Sequence, residues 1–81
     1  MELINVRCSQ GRLIITDTHI LTERYGKTQM MERRSFTSLK TKGALWSHKV
    51  IFYGQGKGRL VASGMSGRNA KRVRDIMTGR D

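Results

Sequence analysis

The sequence SGRNAKRVRDIMTGR, residues 66–80, carries the clearest helix signal in the chain, and the predicted fold depends on it. The hydroxyl of Ser66 can accept a hydrogen bond from an unpaired N–H of the first helical turn, and Gly79 stands where a left-handed closing residue has the lowest steric cost. A helix of about fifteen residues is marginal alone in water, so its apolar residues need a partner. They recur at spacings of three, four and seven and form one stripe: Ala70, Val73, Ile76 and Met77. The stripe predicts a core, built by the upstream residues, that this helix closes.

The residues before the helix have the pattern of short strands separated by turns. Asp-Thr at 17–18, Tyr-Gly-Lys at 25–27 and the glycine-rich GQGKG at 54–58 predict tight turns, and a loop at 43–47 contains Trp46. Seven runs between these signals have the apolar pattern of strands: 2–8, 12–16, 19–24, 29–34, 36–42, 49–53 and 59–63. The fourth run also fits a helix, but its place among hairpins favours a strand. The spacing predicts a mainly β fold, a barrel or sandwich closed by one helix.

Length and composition predict a single domain over residues 1–81, with strands across about 2–63 and the helix across about 66–79. The chain has no proline, no internal repeat and no low-complexity run that would mark a linker. Its one cysteine, Cys8, alternates with Ile4 and Val6, which favours a buried structural thiol over a reactive one. The N-terminal MELINVRC lacks the layout of a signal peptide, and no window reaches the roughly 20 apolar residues of a membrane span. We expect a cytoplasmic protein.

The charge balance is the strongest compositional signal. Lysine and arginine total 16 against 6 acids, which gives a formal net charge of +10. Such an excess favours polyanionic partners, namely nucleic acid, an anionic membrane surface or an acidic protein. The alternative is that the charge serves solubility and has no dedicated partner.

The order and spacing of these elements resemble the bacterial pleckstrin-homology-like (PH-like) domains. The string LIITDTHIL at 13–21 is similar to the "Leu-x-x-Thr-Asp-x-x-Leu" hairpin of that family, and FTSL at 36–39 to its passage from the fourth strand to the fifth. Residues 49–63 look like its last hairpin with a glycine turn, and residues 66–77 like its terminal helix. The resemblance covers nearly the whole chain. It implies a PH-like barrel of seven short antiparallel strands closed by the C-terminal helix.

Eukaryotic relatives in this fold bind phosphoinositide head groups at the end away from the helix. Their motif is a basic residue followed by Lys/Arg-x-Arg on the next strand, whereas here Arg7 is followed by Arg-Leu-Ile at 12–14, so the second half is missing. The resemblance therefore does not imply a specific phosphoinositide pocket. It does imply that three turns gather at that end, each with two cations. We call these six the predicted rim, a candidate site for an anionic surface such as phospholipid: Arg7, Arg12, Arg24, Lys27, Lys57 and Arg59.

A second basic patch follows the helix face opposite the apolar stripe: Arg68, Lys71, Arg72 and Arg74. This face could instead follow the phosphates of a nucleic acid, and any such binding would be nonspecific and salt-dependent. Small basic barrels also bind single strands on exposed aromatic rings, for which Tyr25, Trp46 and Tyr53 are the candidates. Nucleic acid is thus the alternative polyanion.

No pattern in the chain predicts catalysis. His19 and His48 lie beside separate turns, the acids form no paired-carboxylate signature, and GQGKG lacks the spacing and the following helix of a phosphate loop. We therefore expect no enzyme activity, no metal and no cofactor. The predicted function is a non-catalytic PH-like binding module for a protein partner or an anionic surface, peripheral to a membrane in the second case. Self-association is a further expectation, because open sheet edges offer unpaired backbone groups.

Overall fold

The computed structural model describes residues 2–9, 11–43, 47–56 and 58–79. The described chain is mainly strand, with one short 3-10 turn and one C-terminal helix, so the predicted mainly β class with seven strands is confirmed. The elements run in this order: β1 Glu2–Cys8, β2 Gly11–Thr16, β3 His19–Arg24, β4 Lys27–Glu32, the 3-10 turn Arg33–Ser35, β5 Phe36–Gly43, β6 His48–Gly54, β7 Arg59–Met65 and α1 Gly67–Thr78.

The seven strands form two antiparallel sheets. Sheet A has the order β1-β2-β3-β4, and sheet B has the order β5-β6-β7. The two sheets are not closed into a barrel, so that part of the prediction is wrong. The cause lies after β4, where the 3-10 turn redirects the chain. The Arg33 N–H donates to the Thr18 carbonyl and the Gln55 N–H donates to the Ser35 carbonyl, both at 2.9 Å, so that β5 starts a new sheet and does not extend sheet A.

Strand β7 makes the contact between the sheets. It packs against β1, β3 and β4 of sheet A. At its C-terminal end the Ser9 N–H donates to the Ser63 carbonyl at 3.3 Å. Gly64 next to it has a φ of 81°, and its missing side chain leaves the space that Ser9 occupies. The last strand therefore lies against one end of sheet A, and the core fills the space between the sheets.

The core consists of the alternate, inward-facing residues of the strands. Phe52 is 0% exposed and packs edge to face against Phe36, with 6.3 Å between the ring centroids. Burial of each large apolar side chain stabilises the fold by about 1.5–3 kcal/mol. The buried strand members of the cluster are Ile4, Val6, Leu13, Ile15, Ile20, Met31, Val50, Phe52, Leu60, Ala62 and Met65.

Helix α1 closes this core as predicted. The Ser66 hydroxyl accepts a hydrogen bond from the Asn69 N–H at 3.2 Å, and Gly79 ends the helix with a φ of 77°. Both cap predictions are confirmed. On the inner face Ala70 and Val73 are buried, and the partly buried pair Ile76 and Met77 packs against the same cluster. The predicted apolar stripe is therefore a part of the core.

Strand β4 differs from its prediction at both ends. It was predicted at 29–34, and the structure places it at Lys27–Glu32. Tyr25 and Gly26 both have positive φ, 53° and 77°, which is the backbone of a two-residue hairpin turn. Pairing therefore starts at once after that turn, and the two arginines at 33–34 fall in the 3-10 turn.

Candidate polyanion-binding surfaces

The four cations of the predicted rim that lie on sheet A form two cross-strand pairs. Arg7 is opposite Arg12 in the pairing of β1 with β2, and Arg24 is opposite Lys27 in the pairing of β3 with β4. The first pair lies one position along the strand from the buried Val6, so it faces away from the core. In the second pair Arg24 is opposite Gly11, the residue next to Arg12 on β2. The second pair therefore points to the core side of sheet A, at the end of the strands. The two pairs therefore occupy opposite faces of sheet A.

The remaining rim positions lie at the turn between β6 and β7. The predicted hairpin is confirmed by its described residues, because the Gly54 N–H donates to the Gly58 carbonyl at 2.9 Å and Tyr53 pairs with Arg59. Arg59 follows the turn and is opposite Tyr53, on the outer face of sheet B. Lys57 lies outside the described residues. The described rim cations thus fall on three sheet faces, and ligand binding by the rim stays a prediction.

Charge is divided unevenly along the chain. Residues 1–32 contain four cations and four acids, whereas residues 33–81 contain twelve cations and two acids. The net charge of +10 therefore lies entirely in the second part, which forms sheet B and α1. Sheet A is close to neutral, and on its outer face Glu23 lies directly opposite Arg12. A surface that attracts polyanions is expected on the second part.

The outer face of α1 is the first such surface. All four of its predicted cations are exposed: Arg68, Lys71, Arg72 and Arg74. Arg68 lies in the first turn of the helix, and Asp75 lies in the last turn. This is the reverse of the arrangement that the helix dipole favours, since acids stabilise the N-terminus and cations the C-terminus. Arg68 is therefore not placed there for the stability of the helix.

The outer face of sheet B is a second basic surface, which the sequence patterns did not predict. The registers of β5, β6 and β7 place nine outward side chains in a grid of three by three, with Ile51 at its centre. Ile51 is 8% exposed yet stands apart from the core cluster. The grid reads by strand as Ser38, Lys40 and Lys42 on β5, Tyr53, Ile51 and Lys49 on β6, and Arg59, Val61 and Ser63 on β7.

A signal for this surface was present in the sequence. From residue 33 to residue 74 the chain has no acidic residue, although it has eleven cations. The alternation of lysine at 40 and 42 predicted a half-solvated strand, which is confirmed. The pairing of Lys42 with Lys49 was not predicted, because it depends on the register of two strands joined by a loop.

The histidines and the cysteine occupy separate places. The Nδ1 atom of His19 lies 2.8 Å from the Thr18 hydroxyl, and the buried Nδ1 atom of His48 has no hydrogen-bond partner among the described residues. Cys8 was predicted to be buried, and the structure places it as partly buried; this burial raises the pKa of its thiol. In the described part of the chain no group of three or more His, Cys, Asp or Glu side chains could hold a metal ion.

Neither of two hollows in the surface is built for an anion. The cavity between the end of sheet A and β7 has about 20 Å³, which is room for one water molecule. The groove between β4 and the β6–β7 turn is larger, about 550 Å³, but its described lining has one cation and one acid, Arg59 and Glu32.

The predicted aromatic platforms differ in exposure. Tyr25 is 73% exposed, and the Arg24 guanidinium lies 5.8 Å from its ring centre. Tyr53 is partly buried, and Trp46 lies outside the described residues.

Two further findings bear on function. In the described ranges, no helix combines the length and the apolar character needed to cross a membrane. Comparison of the chain with protein-family models gives no match, and comparison with curated proteins gives none either.

Proposed function

We propose that this chain is a non-catalytic PH-like binding module that attaches to anionic phospholipid surfaces through the outer face of α1. The observation that carries the proposal is a group of four exposed cations that spans about two turns of this helix: Arg68, Lys71, Arg72 and Arg74. Two antiparallel sheets followed by a C-terminal helix support the PH-like part of the proposal, since the family resemblance implies this order of elements. In this proposal the protein is cytoplasmic and peripheral to the membrane.

The position of the cations supports binding over helix stability. Arg68 stands near the positive end of the helix dipole, where an acidic residue would be worth about 0.3 kcal/mol or more. Among the described residues none of the four cations has a salt bridge within 4.0 Å, although Asp75 lies on the same helix. Their charge is therefore available to an anionic surface.

The expected affinity is modest and depends on salt. A lysine or arginine held near an anionic membrane contributes about 1 kcal/mol, so four contribute about 4 kcal/mol. That corresponds to a dissociation constant of about 1 mM on a molar scale. The outer face offers no exposed apolar side chain for insertion, so binding should weaken as the Debye length falls from about 14 Å at 0.05 M salt to about 7 Å at 0.2 M.

Two double variants with equal net charge test the location. Arg68→Gln/Arg72→Gln removes two cations from α1, and Arg7→Gln/Arg12→Gln removes two from the neutral sheet A. In co-sedimentation with vesicles of phosphatidylcholine and phosphatidylserine, Arg68→Gln/Arg72→Gln should bind about tenfold or more weakly than the wild type, at about 1 kcal/mol per cation. The sheet A pair should bind within about twofold of the wild type, since a charge in a neutral region adds little at a distance.

Three results would overturn the proposal. Equal losses for both variants would mean that net charge alone governs binding, and no wild-type binding at low salt would exclude the anionic surface. A duplex DNA probe, used in parallel, tests the alternative partner. If DNA bound more tightly than the vesicles and the helix pair lost that binding, α1 would hold nucleic-acid phosphates and the lipid assignment would fail.

A further inference from the structure

We propose that the outer face of sheet B is a docking site for an extended, acidic segment of a partner protein. This surface is separate from the outer face of α1, and the inference does not depend on lipid binding. It goes beyond the proposed function because it assigns a second surface and a second kind of partner. The site is the grid of nine outward residues on β5, β6 and β7.

Three lysines surround one corner of that grid. Lys42 is directly opposite Lys49 across the β5–β6 pairing, and Lys40 lies two residues along β5 on the same face. Directly opposed residues have Cβ atoms about 5 Å apart, and alternate residues of a strand are about 7 Å apart. No acidic residue stands on this face, because the strands of sheet B contain none.

This arrangement is unfavourable in the free protein. Like charges directly opposite each other on neighbouring strands destabilise a sheet. An alternating strand needs polar residues on its outer face but does not need three cations at one corner. A bound group of carboxylates would remove the repulsion, and the charge of the site therefore indicates an acidic partner.

The centre of the face favours a polypeptide over a nucleic acid. Val61 is partly exposed and lies beside Ile51, which is 8% exposed, so the small apolar area at the centre of the face comes mainly from Val61 and suits an apolar side chain better than a base. Base stacking uses exposed aromatic rings, and the one aromatic residue in the grid, Tyr53, is partly buried. The spacing of about 7 Å between Lys40 and Lys42 also equals the spacing of alternate side chains in an extended peptide.

A second copy of this chain is a poor partner, because it would bring the same lysines into contact.

The test uses a fluorescein-labelled peptide of about twelve residues with glutamate at every second position and valine or threonine between, long enough to cover the strands of sheet B. Fluorescence polarisation measures its binding to the whole chain at low salt. We expect Lys40→Gln/Lys42→Gln to weaken binding about tenfold or more, at about 0.7 kcal/mol or more per lysine. The matched control Arg68→Gln/Arg72→Gln removes the same charge from α1 and should change binding less than about twofold, which also separates this inference from the lipid proposal.

Three results would overturn the inference. One is equal weakening by both double variants, which would indicate attraction by net charge alone. Another is equal binding of a peptide with glutamine in place of glutamate. The third is tighter binding of an oligothymidylate of the same charge that is lost in Lys40→Gln/Lys42→Gln, because this face would then bind single-stranded nucleic acid. Thermal melting of each variant shows whether the fold is intact, and both lysines are exposed, so that we expect melting temperatures close to that of the wild type.

Discussion

Replacement of Val73 by alanine tests how the helix closes the core. Val73 is 0% exposed and belongs to the single core cluster, at the centre of the inner face of α1. Val73→Ala removes two methyl groups, worth about 0.8 kcal/mol each, and leaves a cavity that adds a further fraction of a kcal/mol. We expect a loss of about 2 kcal/mol in the free energy of unfolding. Alanine is the better helix former, so the loss cannot come from helix propensity.

Thermal unfolding followed by circular dichroism measures this loss. For a chain of 81 residues a change of about 2 kcal/mol corresponds to a fall in Tm of about 8–16 °C. Lys71→Ala, on the exposed face of the same helix, is the matched control and should shift the free energy by less than about 0.5 kcal/mol. If Val73→Ala and Lys71→Ala melted at the same temperature, α1 would not be a core element and the packing described here would be refuted.

Three further substitutions or modifications have definite expected outcomes. Gly64→Ala should lower the free energy of unfolding in urea by about 1 kcal/mol or more beyond the loss in Gly56→Ala. Both glycines have positive φ, but a Cβ at Gly64 would lie 2.7 Å from the backbone N of Ser9, whereas a Cβ at Gly56 meets nothing within 4 Å. Equal losses in the two variants would exclude the contact. Iodoacetamide should modify Cys8 at pH 8 about tenfold more slowly in the native chain than in urea, because burial raises the pKa of its thiol; an equal rate would show an accessible thiolate. Arg68→Glu should raise Tm slightly by the helix-dipole effect and weaken vesicle binding; a fall in Tm would contradict the dipole argument.

Local signals in the sequence predicted the parts of the fold that depend on neighbouring residues. The caps of α1 are an example, since Ser66 and Gly79 act on backbone groups of the same helix. The strand bounds were predicted well wherever a turn was short and marked by glycine or aspartate. The strand β4 was misplaced because Tyr25 joins Gly26 in the left-handed region, and a tyrosine is an uncommon residue for that conformation.

The surfaces were harder to predict because they depend on register. A shift of one residue in a strand moves each side chain to the opposite face. The predicted rim grouped cations by turn, but the observed registers place Arg7 with Arg12 on one face of sheet A and Arg24 with Lys27 on the other. The helix patch was predicted fully, because its residues belong to one helix and need no register. The lysines of sheet B required the pairing of β5 with β6 before their proximity was visible.

Membrane attachment through α1 is tested most directly by mapping amide chemical shifts in the chain when nanodiscs containing phosphatidylserine are added at low salt. The largest changes should fall on α1, Gly67–Thr78; they should be absent with phosphatidylcholine nanodiscs and reversed by salt. Amides of β1 and β2 around Arg7 and Arg12 should stay unchanged, because sheet A is close to neutral. Changes centred on those strands, or no change anywhere, would contradict the proposal that the helix face attaches the protein to an anionic surface.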